Sequence, residues 1–153
     1  FVSLVVTMSD LPTEKKDEFP PLMSNTIAAG FPSPAEQYVE APLDLNQLLV
    51  KRPAATFFLR VSGTSMIDAG IFDGDILVVD RSIEAKDGMI VVACVDGEFT
   101  VKNLKKNGNS ITLEPANKSY PSITFKDGME LRIFGVVTAT IHRFINLNST
   151  IKP

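Results

Sequence analysis

From Ala55 onward, short apolar runs alternate with polar positions, and turn dipeptides separate them. Thr56–Val61, Ile76–Val79, Met89–Val95, Phe99–Leu104, Ile111–Leu113 and Leu131–Ile141 are rich in β-branched and aromatic residues. Such residues suit the pleated, half-buried surface of a strand. Asp73-Gly74, Asp87-Gly88, Asp96-Gly97, Asn107-Gly108 and Asp127-Gly128 mark the turns. Many short strands at close spacing predict an all-β fold, compact and partly closed like a β-barrel.

The texture before that point differs. Residues 1–43 hold Pro12, Pro20, Pro21, Pro32, Pro34 and Pro42, interleaved with charge and small side chains. Each proline removes a backbone donor, and no helical or strand period persists. This stretch reads as a flexible N-terminal arm. One short helix is expected just beyond it, with Asp44 as N-cap and Leu45, Leu48 and Leu49 on one face. The pattern divides the chain into an arm (1–43), a folded domain (44–145) and a polar C-terminal tail (146–153).

Composition narrows the function classes. The chain has 153 residues, 44% of them hydrophobic and 22% charged, with a net charge of −3. That balance fits a globular protein and gives no global basic footprint for non-specific DNA binding. No apolar run is long enough to span a membrane, and the opening Phe1–Val6 is too short for a signal peptide. Phe1 is an unusual first residue, and Met8 is a candidate initiator. One cysteine and one histidine leave little material for a metal site or a Ser–His–Asp triad, so no cofactor or metal is expected. A reducing, cytoplasmic setting is the simplest fit.

One lysine stands in an apolar context. Asp96-Gly97 suits the two-residue type I′ turn of a hairpin. In that register Val95 faces Glu98, Ala93 faces Thr100 and Val91 faces Lys102. Alternation then puts Lys102 on one face with Thr100, Leu104, Val91, Ala93 and Val95. Two readings follow. Lys102 is a gatekeeper whose stem lies on the sheet with its head in water, or it is buried and becomes a base. A lysine that is half neutral near pH 7 needs its ammonium form disfavoured by about 4 kcal/mol. Lys105 and Lys106 sit near a turn and read as solvated.

Val61-Ser-Gly-Thr-Ser-Met-Ile-Asp68 follows a strand and turns sharply. Gly63 and small hydroxyl residues permit a tight backbone that can present Ser62 or Ser65 and aim N–H groups at one point. A plain polar turn accounts for the same residues. Neither a nucleophile elbow nor an S-x-x-K pattern is present. His142 lies in a strand-like segment and reads as an ordinary surface or core histidine.

Three runs, Ser62–Asp68, Gly70–Arg81 and Asp96–Leu104, resemble in order the peptidase domain of the LexA/UmuD family. The resemblance extends from about Ala28 to Val137. It implies that Ser65, before Met66, is the nucleophile, and that Lys102, closing Phe99-Thr-Val-Lys102, is its general base. It also implies a scissile bond before a glycine in the arm, which Ala29-Gly30 in Ala29-Gly-Phe-Pro-Ser-Pro-Ala35 matches. Ala precedes the bond here, as in LexA, where some UmuD-type proteins carry Cys.

The stretch before Ala29 is proline-broken and carries no recognition helix, so the chain resembles the UmuD and MucA branch. That branch implies a self-processing serine endopeptidase whose trimmed form is the accessory subunit of an error-prone translesion polymerase in the SOS response. The implied partners are a second copy in a homodimer, a RecA–single-stranded-DNA filament as activator, and a UmuC-like, Y-family polymerase subunit. Neither direct sequence-specific DNA binding nor a membrane is implied. The extended connection from Gly30 to Ser65 reaches on the order of 100 Å, so cleavage in cis and in trans both remain open. Two other readings are a repressor fragment that has lost its DNA-binding domain and a non-catalytic β-rich binding module.

Overall fold

The computed structural model describes residues 19–23, 26–31, 39–125 and 130–146. Two compact units partition the chain, Phe1–Leu48 and Leu49–Pro153. Only 19–23, 26–31 and 39–43 of the expected arm fall among the described residues, and only Asn146 of the expected tail.

In the first unit, β1 (Pro21–Met23) pairs antiparallel with β2 (Val39–Pro42). The sequence pattern gave no sign of this pairing. Prolines stand at Pro21 and Pro42, opposite each other at one end of the ladder, where missing donors cost least. Helix α1 (Leu45–Leu49) begins where expected. Asp44 Oδ1 accepts from the Asn46 N–H at 2.9 Å and from the Gln47 N–H at 3.4 Å, which satisfies orphan donors of the first turn.

The second unit is built on one antiparallel sheet. Its strands are β3 (Thr56–Arg60), β4 (Ile76–Asp80), β5 (Ile90–Val95), β6 (Glu98–Asn107), β7 (Ser110–Glu114), β8 (Ile123–Thr124) and β9 (Leu131–Ile141). They run in the order β3-β4-β9-β5-β6-β7-β8. The all-β expectation holds. The sheet is open rather than closed, because among the described residues no ladder joins β3 to β8.

The β5–β6 hairpin has the expected register: Val91 opposite Lys102, Ala93 opposite Thr100, Val95 opposite Glu98. Its turn residues Asp96 and Gly97 have φ of 48° and 86°, the positive pair that a type I′ turn demands. Strand β6 runs on to Asn107, three residues beyond the apolar stretch, because β7 pairs with its far end.

The central strand β9 carries two irregularities. Register shifts opposite Val92/Ala93 and Val78/Val79 leave Phe134 and Thr138 without direct partners. Bulges of this kind bend a strand and increase its twist. Beside the first, Gly135 lies so close to β4 that a Cβ there would stand 2.7 Å from Val79 Cγ1 and 3.2 Å from the Asp80 carbonyl oxygen.

Alternate residues of β5 feed two apolar clusters, as a two-residue period requires. Val92 packs with Val61, Met66, Ile71, Leu77 and Val79. Val91 and Ala93 pack with Leu104, Leu113 and Val136. The first cluster anchors the loop carrying Ser65, and the second surrounds the Lys102 position on β6.

Candidate active site

Ser65 sits between β3 and a single 3-10 turn, Ile67–Ala69. Met66, 1% exposed, plugs the first cluster, so its neighbour Ser65 is held at the core's edge. The loop is tied from two sides. The Gly63 N–H donates to Asp73 Oδ1 at 2.7 Å, with Gly63 at φ 101°. Thr64 Oγ1 lies 2.9 Å from the Tyr120 hydroxyl, and Asn117 Nδ2 donates to the Thr64 carbonyl at 2.9 Å.

Lys102 is 8% exposed, and its cross-strand partner Val91 and strand neighbour Leu104 are both at 0%. The side chain is buried rather than stretched into water. Its Nζ is 3.1 Å from Ser65 Oγ, 2.7 Å from Thr100 Oγ1 and 3.0 Å from the Val101 carbonyl oxygen. Burial pushes its pKa below the ordinary lysine value, because desolvation penalises the ammonium form. No carboxylate pairs with the amine among the described contacts to counter that penalty.

A cleft of about 160 Å³ opens beside the pair, lined by Leu59, Val61, Ser62, Ser65, Phe99 and Thr100, among others. Ser62, the other candidate hydroxyl, also lines this cleft, but the amine's bond goes to Ser65. Ala29 and Gly30 form an exposed bend in the first unit, flanked by Ile27 at 92% exposure and Phe31 at 90%.

His142 stands apart from this cleft. Its Nδ1 bonds Asp75 Oδ1, and its ring rests against Phe72 and Phe144. Asp75 is buried, and desolvation alone would raise its pKa. Bonds from the Phe72 N–H, His142 and Thr140 outweigh that penalty and hold it below the usual carboxylate range. Among the described residues, no three His, Cys, Asp or Glu side chains converge to hold a metal ion. No helix among them is long and apolar enough to cross a membrane.

Sequence reasoning did not single out Thr100, Asn117 or Tyr120. Thr100 was detectable, since the hairpin register puts it on the Lys102 face two residues away. Asn117 and Tyr120 reach the Ser65 loop across more than 50 positions, and no local pattern signals that contact.

Residues 21–138 match the Peptidase S24-like family, a serine peptidase kind. The chain is 50% identical to Protein SamA of Salmonella typhimurium over 123 residues, which cover 80% of this chain and 85% of that protein. It is 51% identical over 123 residues to Protein ImpA of Escherichia coli, covering 80% and 83%. Protein MucA of Escherichia coli is 48% identical over 122 residues, covering 79% and 83%. This chain therefore belongs to the Peptidase S24-like family, among the UmuD-type SOS mutagenesis proteins.

Proposed function

We propose that the chain is a self-cleaving serine–lysine endopeptidase in which Ser65 attacks the Ala29–Gly30 bond with Lys102 as general base. One observation carries this reading: a buried amine with three oxygen neighbours and, among the described residues, no carboxylate. A neutral amine has two N–H donors and one lone pair. The Val101 carbonyl can only accept, and Thr100 Oγ1 accepts at the shortest distance. With both N–H groups so engaged, the lone pair is left for the Ser65 hydroxyl proton.

The steps balance as follows. Nζ takes the Ser65 proton while Oγ bonds the Ala29 carbonyl carbon, giving a tetrahedral oxyanion. Collapse breaks the Ala29–Gly30 bond, and the Lys102 ammonium gives its proton to the departing Gly30 amine. Water, deprotonated by the neutral amine, then adds to the Ser65 ester; collapse frees the Ala29 carboxyl group, and the Lys102 ammonium returns its proton to Ser65 Oγ. Lysine can fill the role of histidine here because burial disfavours its charged form.

Within the cell, we place the product beginning at Gly30 as the accessory subunit of a UmuC-like, Y-family translesion polymerase. The protein acts as a cytoplasmic homodimer, with a RecA–single-stranded-DNA filament shifting the arm toward the cleft. The arm is residues 1–43 and the peptidase domain 44–145. Family membership and the site's chemistry support this reading.

Intact mass of the pure chain, followed at pH about 7 and about 10, tests it. The expected product begins at Gly30, forms faster at the higher pH, and is absent in Ser65→Ala and Lys102→Ala. Cleavage that survives Lys102→Ala removes the lysine from its role. A chain that stays whole at every pH, even with activated filaments, favours the non-catalytic binding module.

A further inference from the structure

Asn117 lies in the turn after β7 and plays no part in the proton transfers above. Its two amide ends are used differently. Oδ1 accepts from the Ser119 N–H at 3.0 Å, which closes its own turn. Nδ2 donates to the Thr64 carbonyl at 2.9 Å, which ties that turn to the loop before Ser65. The same segment holds the other side of the loop, where the Asp68 N–H donates to the Ala116 carbonyl at 2.8 Å.

The Thr64 carbonyl belongs to the same planar peptide as the Ser65 N–H. In a trans peptide the two groups point in opposite directions, so fixing one fixes the other. Among the described residues, neither the Ser65 N–H nor the Met66 N–H donates to a backbone carbonyl. We propose that Asn117 is a positioning residue: by holding the Thr64 carbonyl, it aims the free Ser65 N–H at the oxyanion that forms when Ser65 Oγ attacks. This rests on Ser65 being the nucleophile. Tyr120 also reaches Thr64, but through the side-chain hydroxyl. That bond anchors the loop without setting the orientation of the peptide plane.

An acyl-transfer site is sensitive to such aim. A donor lost from an oxyanion site, or one misplaced by about 1 Å, costs on the order of a hundredfold in rate. Asn117→Asp keeps the Oδ1 that accepts from Ser119 and replaces the donor to Thr64 with a charged oxygen. Asn117→Ala adds no charge beside the amine. Self-cleavage of the full chain is measured from pH 7 to 10.5 for the wild type, both Asn117 variants and Tyr120→Phe, with a thermal melt of each.

Both Asn117 variants are expected to lower the high-pH rate plateau about tenfold to a hundredfold. Asn117→Ala keeps the wild-type pH midpoint, because the amine is untouched, and its melting temperature stays within a few degrees. Tyr120→Phe keeps the plateau within about twofold. Wild-type plateaus in the Asn117 variants overturn the assignment while leaving Ser65 and Lys102 in place. Equal losses in Tyr120→Phe and Asn117→Ala also overturn it, in favour of general loop anchoring. A wild type that never cleaves removes the site reading itself. Using two Asn117 variants keeps the test decisive if one fails to fold.

Discussion

Thr100→Val isolates the part of the site that controls the amine. The valine has nearly the shape of threonine and replaces the hydroxyl 2.7 Å from Nζ with a methyl group. The bond lost is worth about 1.5–3 kcal/mol to an ammonium and about 0.5–1.5 kcal/mol to a neutral amine. The ammonium form therefore loses about 1 kcal/mol more, close to a fivefold drop in proton affinity. The existing desolvation has the same sign, since it already lowers the Lys102 pKa. The midpoint of the self-cleavage pH profile should thus move to lower pH. The plateau above that midpoint should fall as well, because only the Val101 carbonyl then remains to orient the lone pair toward Ser65. Cleavage rates by intact mass across pH 7–10.5 separate the two effects. A midpoint that moves up, or a profile identical to the wild type, refutes the argument that Thr100 Oγ1 receives one of the amine's protons.

Two further predictions concern stability. In a Ser65→Ala background that prevents cleavage, Lys102→Met should gain on its parent at neutral pH and lose that advantage as pH rises. The sign follows from the lowered folded value: between it and the unfolded value near 10.5, the unfolded chain holds more protons, so the parent's stability climbs with pH. A melting-temperature difference that stays constant from pH 7 to 10 would show that the amine is not desolvated. Gly135→Ala should destabilise the fold by about 1–2 kcal/mol, an overpacking cost partly offset by reduced chain entropy. Its new methyl meets the fully buried, β-branched Val79 at 2.7 Å and Asp80 backbone at 3.2 Å. Thermal melts showing no loss mean that β9 has room to move away from β4.

The hairpin register was legible because three independent signals agree over a dozen residues: an Asp-Gly turn, a two-residue period, and apolar faces on both strands. That register alone placed Lys102 opposite Val91. What it left open was whether the long side chain would reach water or stay among Val91, Ala93 and Leu104. The answer depends on tertiary contacts such as that of Nζ with the Ser65 hydroxyl, 37 positions away in sequence. The pairing of Pro21–Met23 with Val39–Pro42 was hidden for a similar reason. Short proline-bearing strands have little local propensity, and their pairing is a matter of tertiary context. Strand β8, only Ile123–Thr124, is too short for any period to register.

The same distinction explains how the site works. Local sequence sets the β5–β6 register, but the lowered proton affinity of Lys102 is a property of the assembled core. Neither the hydroxyl nor the amine is unusual by itself. Removing water from one face of β6 disfavours the ammonium form, and a neutral amine that donates to Thr100 and Val101 would have its lone pair toward Ser65. Loss of packing around Leu104 or Val91 should therefore restore an ordinary lysine before it unfolds the sheet. On the proposed mechanism, the packing that buries Val91 and Leu104 is also what disfavours the Lys102 ammonium.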